Sequence, residues 1–97
     1  MFEIYWTAEA RENYTSIKND PAHLKQYKAV KKSILLLAQD PRHPGLQTHE
    51  YDSLKGPAGE KVFEAYAEQN TPAAYRIFWY YGPSRGMLTI IAITPHP

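Results

Sequence analysis

Ninety-seven residues suffice for one domain that buries about 65% of the surface its unfolded chain exposes. The chain has no cysteine, which excludes a disulfide framework and a cysteine-ligated zinc site. Its formal net charge of +1 does not announce a nucleic-acid binder. No apolar run approaches the ~20 residues of a membrane span and no signal peptide opens the chain, so a cytoplasmic protein with no membrane partner is expected.

Residues 2–6 alternate, with Phe2, Ile4 and Trp6 on one face of a short first strand. Thr7 has the chemistry of a helix N-cap, and Glu9 and Glu12 suit the positive end of a helix running to about Asn19. Asp20-Pro21 marks a restart, an N-cap acid followed by proline at the first helical position. The second helix carries Leu24, Tyr27, Val30, Ile34, Leu35, Leu37 and Ala38, expected to form one apolar face on a sheet with its lysines in water. Asp40-Pro41 ends it, because a residue before proline avoids the α region.

Residues 41–52 read as a polar loop, and residues 54–59 as turn-rich. Residues 60–68 mix helix-forming Glu, Ala and Lys with an alternating pattern; the flanking turns favour a strand. Residues 74–81 and 87–94 are dense in aromatic and β-branched side chains around a Gly-Pro-Ser-Arg-Gly turn, the pattern of an antiparallel hairpin. Alternation puts Tyr75, Ile77, Trp79 and Tyr81 on one face and Arg76, Phe78 and Tyr80 on the other. Neither face is polar throughout, so the hairpin belongs in the middle of the sheet. The expected fold is α+β in the order β-α-α-β-β-β. Two N-terminal helices pack on one face of a mainly antiparallel four-stranded sheet, in a single domain over residues 1–97.

Arg76 stands amid aromatics and needs an explanation: it pairs with Glu64 or Glu68 across the sheet, or it awaits an anion. His43 and His49 lie near Glu50 and Asp52, but their spacing matches no compact ligand motif, and neither metal nor cofactor is expected. No nucleophile elbow surrounds Ser53 or Ser84, and no phosphate-cradling glycine loop precedes a helix. There remains a scattered group: Glu50 or Asp52, Lys55, Lys61, Arg76, Arg85 and His96, interleaved with Tyr66, Tyr80 and Tyr81. Basic groups among flat rings suit RNA, whose phosphates take cations and whose unstacked bases take aromatic faces. One carboxylate as base, one arginine on the pentavalent phosphate and one histidine as acid would suffice for phosphodiester transfer. The plainer readings are a solvated loop acid for Glu50, a frayed tail for His96, and core or sheet surface for the tyrosines.

The element order, Leu54-Lys55-Gly56 before a strand, Tyr75 to Trp79 reading Tyr-Arg-Ile-Phe-Trp, and Ile93 to Pro97 reading Ile-Thr-Pro-His-Pro together resemble the RelE/ParE superfamily. These are small toxins of type II toxin–antitoxin systems, and the RelE/YoeB-like branch is the nearer pattern. The resemblance implies a cognate antitoxin as partner and a ribosome-dependent endoribonuclease acting on mRNA. By position it assigns the base to Glu50, charge stabilisation to Arg76 and the acid to His96, with Lys55 and Lys61 as phosphate-binding helpers; Arg85 and Tyr80 are candidate RNA-holding residues on their chemistry alone. The chain departs from the family in having no arginine on its last strand. A ParE-like inhibitor that binds DNA gyrase, and a member retaining only antitoxin binding, are the alternatives the resemblance leaves open.

Overall fold

A computed structural model describes residues 1–69 and 71–95. Strand β1 (Glu3–Trp6) leads into helix α1 (Ala8–Lys18), and a single 3-10 turn at Pro21–His23 opens helix α2 (Leu24–Gln39). Four further strands follow: β2 (His49–Lys55), β3 (Lys61–Tyr66), β4 (Tyr75–Tyr81) and β5 (Met87–Pro95). They form one sheet in the order β1-β5-β4-β3-β2. The β1–β5 pair is parallel and the other three pairs are antiparallel. The α+β architecture and the central hairpin are as expected from the sequence.

One side chain, at the junction of β1 and α1, ties both to β5. Thr7 Oγ1 accepts the Ala10 amide at 3.1 Å, capping α1, and donates to the Ile91 carbonyl at 2.6 Å, pinning the helix start to β5. Asp20 accepts the Ala22 amide at 2.9 Å, with Pro21 at the first helical position. Hydrogen bonding to that amide, and then to His23, holds the Asp20 carboxyl below the usual carboxylate range.

The helices cover one face of the sheet. Ala10 and Ile17 of α1, with Val30 and Leu37 of α2, pack on Ala65, Ile77, Trp79, Leu88, Ile90 and Ile93. Ile90 and Ile93 are an odd number of residues apart yet share this face. A bulge explains it: Phe78 pairs with Ala92 and Trp79 with Ile90, so Ile91 is left over and the alternation resets.

The structure corrects two sequence expectations. The sheet has five strands rather than four, because His49–Lys55 is a strand and not a loop and turn. That strand lies at the sheet edge with a register irregularity between Glu50 and Lys55, and only Tyr51 along it is half-buried. An edge strand held by one backbone ladder needs no apolar alternation, so its pattern resembles a polar loop. The Tyr51 ring meets Phe78 edge-on at 4.9 Å and seats it on the sheet. Secondly, Leu24 and Leu35 do not join the apolar face of α2 but stand in solvent. Eleven residues is about three helical turns, so they share one stripe, on a different side from Val30 and Leu37.

Trp6 of β1, Tyr14 of α1 and Tyr27 of α2 form an aromatic cluster, with ring centroids 5.2 and 5.5 Å apart. Burial pushes the Tyr14 hydroxyl up to about 12, and the adjacent Tyr27 hydroxyl adds to the shift. An unfolded tyrosine ionises near pH 10. The folded chain thus favours neutral Tyr14, a contribution fully present below about pH 10 and lost as pH rises toward about 12. Phenolate absorbance is expected to show a late component centred there, absent in Tyr14→Phe. A late component that survives the substitution would belong to another tyrosine.

Candidate functional site

Strand alternation sends Glu64 and Tyr66 of β3 and Arg76 and Phe78 of β4 to the face without helices. Tyr66 stands opposite Arg76, and Glu64 opposite Phe78. On β2, His49 stands opposite Glu64 and joins the same face. These residues make a compact group. The Arg76 guanidinium carbon lies 3.8 Å from the centre of the Tyr66 ring, a cation–π contact. Arg76 Nη1 donates to Glu64 Oε2 at 3.3 Å. The other carboxylate oxygen, Oε1, lies 2.7 Å from His49 Nε2. The His49 ring meets the Tyr66 ring edge-on at 5.6 Å, and its Nδ1 lies 3.2 Å from the Gln47 carbonyl.

Arg76 and Glu64 are nearly buried, with side chains 12% and 9% exposed, while that of His49 is 49% exposed. Of the two readings open for Arg76, the structure shows the ion pair, with Glu64 as partner. Glu68 is otherwise engaged, accepting the Tyr75 amide at 3.1 Å. The pair does not satisfy the arginine fully: among the described residues, its buried Nε has no hydrogen-bond partner. The guanidinium is held by a ring and a single carboxylate contact.

The remaining sequence candidates are dispersed. Glu50 stands opposite Phe63, whose ring stacks on Trp79 on the helix side, so Glu50 and Arg76 belong to opposite faces. Its carboxylate lies 3.8 Å from Lys61 Nζ in solvent. Lys55 pairs with Lys61 at the far end of the same edge. Arg85 is exposed in the hairpin turn, at the opposite end of β4 from Arg76. Tyr80 is 7% exposed and offers no open ring for a base. His96 lies outside the described residues; Thr94, two positions before it, stands opposite Arg76. Among the described residues no cluster of three His, Asp or Glu side chains would hold a metal ion.

Sequence reasoning missed His49 as a member of this group. Its signal was faint: Glu64 is an acid inside an otherwise apolar run, which demands a partner, but only the β2–β3 register identifies His49 as that partner.

A two-helix layer on one face of a five-stranded sheet is a fold this chain shares with solved YoeB and RelE structures. Solved structures establish the match. A YoeB/ParE toxin from Agrobacterium tumefaciens superposes with a TM-score of 0.70 at 14% identity, over 99% of this chain and 100% of its own. RelE in the archaeal RelE–RelB complex from Pyrococcus horikoshii OT3 gives 0.65 at 12% identity, over 97% and 93% of the two chains. The YoeB dimer from Staphylococcus aureus gives 0.64 at 12% identity, over 99% and 98%. No protein-family profile matches the chain, and no curated protein does. The likeness at these identities is one of fold. Among the described residues, no helix is long and apolar enough to cross a membrane.

Proposed function

We propose that this chain is the toxin of a type II toxin–antitoxin pair, a ribosome-dependent endoribonuclease that cuts mRNA and so inhibits translation. The observation that carries the reading is the Arg76 cluster: a guanidinium held in place by Tyr66 and Glu64, beside a histidine, on the helix-free face of this fold. That the fold's solved examples include RelE and YoeB toxins, one of them in a RelE–RelB complex, supports a toxin role and an antitoxin partner.

In this reading the 2′-hydroxyl of a messenger nucleotide attacks the adjacent phosphorus and the 5′-oxygen leaves. Arg76 offsets the charge that grows on the pentavalent phosphate, and His96 protonates the departing oxygen. Lys55 and Lys61, exposed along the β2–β3 edge, neutralise flanking phosphates. A base must face Arg76, and Glu50 does not in this arrangement. With a net charge of +1 the protein holds RNA weakly alone, so the ribosome supplies the orientation that brings the 2′-oxygen into line.

The test is induced expression of wild type, Arg76→Ala and His96→Ala in a bacterial host, with primer extension on a reporter mRNA. Growth arrest with codon-spaced cuts is expected, falling about 10²–10³-fold without the Arg76 guanidinium. Arrest without cuts, unchanged by Arg76→Ala, would favour a gyrase-type binder instead. One observation favours a second reading: Glu64 already occupies Arg76 Nη1. A folded wild type that neither arrests growth nor cuts would mark a member that only binds its antitoxin.

A further inference from the structure

We propose that a cavity on the helix side of the sheet is a binding site for a nucleoside phosphate, a site that stands independently of the ribonuclease reading above. The cavity holds about 300 Å³ and lies between the loop after α2 and strands β2, β3 and β4. That volume is at the small end for a small-molecule site. Its chemistry is set by Arg42, His43, Glu50, Phe63, Trp79 and Tyr81, all of which line it. The sheet supplies a flat wall. Phe63 stacks on Trp79 with centroids 5.0 Å apart, and Tyr81 meets the two rings edge-on at 5.8 and 4.8 Å. Rings already locked against one another lose little freedom when a base lies along them. Trp79 also carries a hydrogen-bond donor: its buried Nε1–H has no partner among the described residues.

The loop supplies donors for an anion. Arg42 is exposed, and its guanidinium forms no ion pair among the described residues. Arginine takes a phosphate through two parallel N–H bonds. His43 Nδ1 accepts the Gly45 amide at 2.9 Å, so in the neutral ring the proton sits on Nε2, a second donor. The loop is itself held in place. The Arg42 amide donates to Asp40 Oδ1 at 3.1 Å, Thr48 Oγ1 to the Pro41 carbonyl at 3.1 Å, and Gln69 Nε2 to the Gly45 carbonyl at 2.6 Å. A lining fixed in advance lowers the cost of binding. Glu50 is the single carboxylate in the lining, with Lys61 Nζ 3.8 Å from its Oε1. It is an acceptor that ribose hydroxyls or a base amino group can use and a plain aromatic acid cannot. A nucleoside phosphate combines a flat ring, an anion and hydrogen-bond donors of its own. A free mononucleotide and a nucleotide within an RNA strand present the same groups.

The experiment is titration of the purified full chain with AMP and UMP, read by calorimetry and by tryptophan emission, since Trp79 lines the site. At least one nucleotide is expected to bind with a Kd below about 1 mM. The parent nucleosides and ribose 5-phosphate, each lacking half of the contacts, are expected to bind at least about tenfold more weakly. Arg42→Gln is expected to weaken nucleotide binding about 10–100-fold, the worth of a hydrogen bond to a charged group. It should melt like wild type, because the exposed side chain it replaces has no ion-pair partner among the described residues. Trinucleotides of adenosine and uridine distinguish the two sources. Binding as tight as the mononucleotide's, with the same dependence on Arg42, supports a nucleotide of RNA; exclusion of the trinucleotides supports a free nucleotide. The proposal is overturned by ribose 5-phosphate binding as well as the nucleotides, by an affinity unchanged in Arg42→Gln, or by tighter binding of phenylpyruvate. Absence of nucleotide binding at about 10 mM overturns it too. A chain that binds nucleotide and cuts no message refutes the ribonuclease reading alone.

Discussion

Trp79→Ala is expected to remove about 3–5 kcal/mol of folding stability, the cost of truncating a buried aromatic and leaving a cavity. Trp79 is 1% exposed on the central strand of the sheet. Its ring stacks on Phe63 with centroids 5.0 Å apart and meets Tyr81 edge-on at 4.8 Å, so its loss loosens β3 and β4 together. A domain of this size is stable by about 5–15 kcal/mol in all, so the substitution takes a large share. Trp79→Phe should be much milder. It keeps a ring against Phe63 and removes the indole Nε1–H, a buried donor with no partner among the described residues. Urea unfolding of the three proteins decides the matter: a Trp79→Ala cost below about 1.5 kcal/mol would place the core elsewhere.

The second large effect falls on the buried ion pair. Glu64→Leu strands the Arg76 guanidinium without its counter-charge, and breaking a buried pair from one side costs about 3–5 kcal/mol. Arg76→Met should cost less, because the carboxylate it leaves behind still has His49 Nε2 at 2.7 Å. Arg76 has no second carboxylate within ion-pair distance among the described residues. The double variant Glu64→Leu, Arg76→Met should recover much of the loss, since buried pairs replaced by packed apolar groups are often neutral. Denaturant unfolding of the three variants forms a double-mutant cycle. Additive costs, or a heavier cost for Arg76→Met than for Glu64→Leu, would contradict the geometry. A coupled pair would also show that Arg76 is held ready by its surroundings, the property on which a charge-stabilising role depends.

The structural class and most elements were legible because their signals are local. Thr7 caps a helix with its own oxygen, Asp20-Pro21 restarts one by fixed backbone geometry, and Gly82 to Gly86 separates two runs that can only be strands. Arg76 could be singled out for the same reason, as a charge alternating with rings along a strand bound for the middle of the sheet. The element order and the short motifs at residues 54–56, 75–79 and 93–97 were enough to suggest a fold that solved YoeB and RelE structures share.

What escaped depends on neighbours distant in the chain. β2 has no burial pattern to read, since an edge strand is held by the ladder it shares with β3. Whether Glu50 or His49 faces Arg76 is decided by that ladder's register, because a slip of one residue exchanges the two faces. Alternation likewise assigned Tyr80 to the Arg76 face, but that it is only 7% exposed is a fact of the folded structure. The sequence by itself determined the helices, the central hairpin and the anomalous arginine. Pairing across fifteen residues, from His49 to Glu64, was settled only by the tertiary structure, because a side chain's partner is chosen by strand register and not by its place along the chain.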